Sequence, residues 1–70
     1  MERFVVIVYQ GMFHEFDLAQ EFVDEHEARA FARSKNRASA VVVPGTVDDW
    51  FAQRLGHPVV IYCYGVEYHR

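Results

Sequence analysis

Four histidines, one cysteine and ten acids are the side chains of this chain that could do chemistry. Their spacing decides which chemistry is open to them. His14, His26, His57 and His69 are scattered, with no close Cys/His pairing and no HxxxH spacing, so they form no zinc motif. Phe13-His14-Glu15 sets an imidazole beside a carboxylate, yet neighbours on a strand point to opposite faces and share no substrate. Cys63 lies in an apolar run with no base beside it, and reads as a small core residue. Asp48 and Asp49 precede Trp50, but consecutive helical residues diverge by about 100°, and acids are expected in a first helical turn. Gly11, Gly45, Gly56 and Gly65 stand alone at turns, a helix stop and a bulge, and nothing cradles a phosphate. The expectation is a binding protein and not an enzyme, with no metal and no cofactor.

The bulk composition narrows the partner. With 70 residues the chain makes one domain with a small core, and 51% hydrophobic residues supply enough apolar area to fold it. A net charge of −3 argues against a general grip on nucleic acid phosphates, which needs clustered Lys and Arg. A single cysteine allows no internal disulfide, so a reducing, cytoplasmic setting is expected. The longest apolar run, FVVIVY at 4–9, is far short of a membrane span and lacks a signal-type cleavage site after it.

Residues 3–10 are almost continuously apolar, the pattern of a central strand covered on both faces. Gln10-Gly11 offers a turn into MFHEFDL, which alternates Met12, His14, Phe16 and Leu18 against Phe13, Glu15 and Asp17. Asp24 to Glu27 reads as a capping box. The helix it starts has an Ala28, Phe31, Ala32 stripe, a Glu25–Arg29 pair and a left-handed stop at Asn36. ASAVVV (38–43) is a second buried strand, ended by Pro44-Gly45. Thr46 then caps a short helix carrying Val47, Trp50, Phe51 and Leu55, stopped at Gly56. A last strand runs from Val59 to about Tyr64, with Gly65 as a bulge. The order β-β-α-β-α-β predicts an α+β two-layer sandwich, a four-stranded sheet with both helices on one face.

Alternation puts Val59, Ile61, Cys63 and Gly65 on one face of the last strand, and Val60, Tyr62, Tyr64, Val66 and Tyr68 on the other. A tyrosine hydroxyl must meet water or a partner, so the tyrosines are expected to look out from the helix-free face, joined by Tyr9. Such a surface fits a protein partner or self-association as a homodimer. The alternative is base stacking on single-stranded nucleic acid through Tyr62, Tyr64 and Tyr68, for which Arg70 is the one nearby positive charge. Charge is segregated as well: residues 15–27 hold six acids and no Lys or Arg. Glu15, Asp17 and Glu21 precede the helix cap and are not needed by it, so they form an expected acidic patch for a basic partner.

In size and charge alone the chain looks like the small inhibitors that phages and other mobile elements encode, including anti-CRISPR proteins, although no motif carries that resemblance. What it implies is a regulator or inhibitor of a larger, nucleic-acid-handling complex; the tyrosine face and the acidic segment themselves place the expected protein–protein contacts at Tyr9, Tyr62, Tyr64, Tyr68, Glu15, Asp17 and Glu21.

Overall fold

Phe4–Gln10 form β1, in which Phe4 to Val8 are all buried. A strand buried on both faces must be covered on both. The computed structural model, which describes residues 2–69, meets this demand with a five-stranded sheet between two helices. The elements follow as β2 (Glu15–Phe22), α1 (Glu25–Ser34), β3 (Ala38–Pro44), α2 (Val47–Phe51), β4 (Val60–Cys63) and β5 (Val66–Tyr68). Strand order is β2-β1-β3-β4-β5, and every neighbouring pair is antiparallel.

The expected α+β class holds, with two corrections. The helices pack on opposite faces of the sheet, not on one. Ala28 and Ala32 of α1 join Phe4, Val6, Val8, Ala40, Val42, Val60 and Tyr62 in one core, while Val47 and Trp50 of α2 pack with Leu55 on Val5, Ile7 and Val43 in a second. The physical reason is the alternation within β1, whose odd residues would otherwise face water. The sheet also has five strands rather than four. Tyr64-Gly65 is not a bulge but a two-residue turn with φ of 52° and 82°. Positive φ at both central residues is the mark of a type I′ turn, whose twist matches that of the strands it joins. It folds the chain's end back as β5, pairing Tyr62 with Glu67 and Ile61 with Tyr68.

Local signals explain the remaining boundaries. Asp24 caps α1 by accepting from the His26 amide at 3.2 Å, and the Glu25–Arg29 pair forms as expected. Helix α1 stops through Lys35, whose amide donates to the Ala32 carbonyl; Asn36 does not adopt the left-handed conformation expected of it. Thr46 and Asp49 make a reciprocal capping box that starts α2, but the helix ends at Phe51, short of Leu55. Its close approach to the sheet requires Gly45, where φ is 137° and a Cβ would sit 2.6 Å from Leu55 Cδ2.

Strand β2 carries a bulge. Val8 pairs with Leu18 and Tyr9 with Phe16, which leaves Asp17 as the extra residue. A bulge reverses the alternation beyond it. Leu18 therefore joins the α1-side core while Phe16 turns to the other face and meets Trp50, ring centroids 4.7 Å apart, so the two do not share a face as the simple alternation predicts.

Tyr62 has no exposed surface, whereas Tyr68 is half exposed. Tyr62→Ala is expected to lower unfolding free energy by about 3–5 kcal/mol, the range for removing a buried aromatic, and Tyr68→Ala by less than about 1 kcal/mol. Urea denaturation of both variants checks this; equal losses would contradict the burial assignment.

Candidate functional site

Tyr62 lies on the α1 face, opposite to where a hydroxyl in search of water would place it. Its partner is internal: Tyr62 Oη donates to Glu67 Oε1, supplied by the residue directly across in β5. Around that carboxylate gather Arg33 Nη2 at 3.3 Å, Arg29 Nη1 at 3.9 Å and the His69 ring. Arg29 Nε is 3.2 Å from Glu25 but off the line a hydrogen bond needs, so that contact is an ion pair alone. The hydrogen bonds from Tyr62 and then His69 hold the Glu67 carboxyl down to about 2, and burial pushes the Tyr62 phenol up. This cluster ties β5, β4 and α1 together.

The tyrosines consequently do not form one surface. Tyr62 is core. Tyr68, paired with Ile61, stands on the opposite face from Tyr62, and Tyr9 is half-buried on that same opposite face with its ring 5.5 Å from Phe13. Tyr64 occupies the β4–β5 turn, nearly half exposed, its amide donating to the Ala38 carbonyl at 3.0 Å. Arg70, the positive charge weighed for base stacking, lies outside the described residues.

The acids are divided too. Glu15 and Asp17 are exposed and enter no ion pair among the described residues. Glu21 is structural: Oε1 accepts from the Val47 amide at the start of α2, and Oε2 pairs with Arg3 at 3.2 Å. It clamps α2 to β2 and is not a free docking charge.

Two features escape a reading of the sequence. The first is the turn end of the sheet, where the β1–β2 hairpin loop and the β4–β5 turn meet. A Cβ on Gly11 would lie 3.8 Å from the Tyr64 hydroxyl. Phe13 there has a φ of 61°, held by its amide donating to the buried Ser39 Oγ at 2.8 Å. Phe13 and Tyr64 are therefore bulky aromatics in the left-handed region, a placement that costs of order 1–2 kcal/mol per residue. Met12, Phe13 and Tyr64 are all exposed. A cleft of about 380 Å³ opens at the same end of the sheet on the α1 side, lined by Gln10, Gly11 and Asp17 and by Lys35, Asn36 and Arg37. The second feature is an aromatic row, Phe16–Trp50–Phe51, that anchors α2 over β2 and leaves Phe51 72% exposed. The signal for the turn end was present in Tyr64-Gly65, because glycine after an exposed residue between two apolar runs marks a hairpin.

No family model, curated protein or solved structure matches the chain. Among the described residues no three His, Cys, Asp or Glu side chains converge as metal ligands, and no helix is long and apolar enough to cross a membrane.

The Glu67 cluster generates a pH dependence. A carboxyl held below its ordinary value near 4.5 contributes stability that is complete above that value and is withdrawn as pH falls toward about 2. Between pH 6 and pH 2.5 the urea midpoint of the native chain should fall more than that of Glu67→Gln, whose amide does not titrate. Parallel declines would show that the cluster adds nothing.

Proposed function

We propose that the protein is a non-enzymatic binding module whose partner protein docks on the turn end of the sheet, around Tyr64, Phe13 and Met12. The observation that carries this reading is the pair of exposed aromatics in left-handed backbone. Asn or Gly would relieve the backbone at both positions, yet both positions hold large aromatics that stay 40% and 47% exposed. Strained residues of this kind cluster at contact surfaces and other functional sites. The exposure does not come from loose packing. An accessible surface of 4620 Å² is close to the roughly 4,500 Å² expected for a folded monomer of this mass.

Aromatic anchors of this kind carry interface energy because they present much area with few torsions. Charge on the two flanks, Glu15 and Asp17 against Lys35 and Arg37, would orient the partner more than it would hold it. A small acidic chain docking in this way suits a regulator or inhibitor that covers a surface of a larger complex, including a nucleic-acid-handling one. Phe51, though more exposed, lies in ordinary helical backbone and is accounted for by the ring contact with Trp50.

Tyr64→Asn separates stability from binding. Asn-Gly is the favoured type I′ pair, so the variant should be more stable by about 1 kcal/mol, a rise in Tm of about 4–8 °C for a domain of this size. It should at the same time lose partner affinity at least about tenfold, read by affinity capture from cell lysate with and without nuclease. Unchanged capture by the variant would remove the turn end as the site. A catch lost on nuclease treatment would replace the protein partner by single-stranded nucleic acid.

A further inference from the structure

Helix α2 is five residues long and covers only the β2, β1 and β3 side of its face. Across β4 and β5 the same face continues as Ile61, Cys63, Val66 and Tyr68, placed together by the pairing of Ile61 with Tyr68 and of Cys63 with Val66. Val41 and Ser39 of β3 adjoin them, paired with Ile61 and Cys63. Ile61 and Cys63 are half-buried, while Val66 and Tyr68 are each more than half exposed. None of these six side chains is charged.

We propose that this half-sheet is where two copies of the chain pair, face to face about a two-fold axis. Three observations select a second copy as the occupant. The chain has a net charge of −3, so two copies repel wherever their charged surfaces approach, and a face without charge is where they can meet. Glu67, the charged residue of β5, shares the face of its partner Tyr62 and is engaged there by Arg33 and His69, away from the proposed contact. The area is also of the right order. Aromatic side chains of 150–250 Å² at half exposure contribute about 100 Å² each. Tyr68 with Val66, Ile61, Cys63 and the partly covered Tyr9 ring then offers about 300 Å², the larger share of the apolar part of the roughly 800 Å² that each partner buries in a stable interface. A two-fold contact is self-complementary, so one neutral patch serves both sides.

Sedimentation velocity over a micromolar to millimolar range should show 8.2 kDa monomers giving way to dimers. Added salt should strengthen the dimer by screening the repulsion of its two acidic halves. Tyr68→Lys and Val66→Lys, at positions exposed in the monomer, should each raise the dissociation constant at least about tenfold with the circular dichroism spectrum unchanged. Tyr64→Asn should leave dimerisation intact, which separates this contact from the turn-end site. On the unaltered chain, maleimide should label Cys63 more slowly at concentrations where the dimer forms. A chain monomeric throughout, a dimer indifferent to both lysine variants, a dimer lost in Tyr64→Asn, or Cys63 labelling independent of concentration would each overturn the proposal.

Discussion

Five consecutive apolar residues in β1, Phe4 to Val8, present side chains alternately to both sides of the sheet, and both sides must be kept from water. Much else in the fold answers that constraint. Helix α1, ten residues long, closes one side over β1 and β3. The other side is left to α2, half that length, pinned by the Glu21 carboxylate on the Val47 amide and by the Phe16–Trp50 contact. Two helices of this size cannot cover five strands. What they leave uncovered is an apolar half-sheet on β4 and β5 and an aromatic end where the turns meet, and both candidate contact surfaces lie there.

Placing Tyr62 inside depends on the same economy of covering elements. A phenol can be buried only if its hydroxyl finds an acceptor, and the acceptor comes from Glu67, five positions further along the chain and directly across the β4–β5 hairpin. That carboxylate in turn needs cations, which α1 supplies as Arg33 and Arg29. The basic end of α1 is therefore more than a complement to the helix dipole: it neutralises the one carboxylate that makes Tyr62 a core residue.

The sequence made parts of this plain and concealed others. The double-faced character of β1, the Asp24 and Thr46 caps and the Glu25–Arg29 pair are local patterns, legible from residue types and spacing. The inverted face of the last strand was not. Small aliphatics look suited to the helix side and tyrosines to water, and only the Tyr64-Gly65 turn, which brings Glu67 opposite Tyr62, reverses the inference. The bulge at Asp17 and the structural use of Glu21 depend on register and on α2, both non-local. Of the expected contact residues, Tyr64 and Tyr68 remain exposed, Tyr9 is half-buried, and Tyr62 and Glu21 are taken up by the fold; Phe13 becomes notable only through its backbone conformation.

The division of the tyrosines between core and surface is the central claim, and photochemically induced nuclear polarisation tests it most directly, because the excited dye polarises only tyrosine rings it can touch. In dilute solution Tyr64 and Tyr68 should give strong signals and Tyr62 none. A polarised Tyr62 beside a silent Tyr64 and Tyr68 would mean that the strand faces the other way, and both proposed surfaces would be lost.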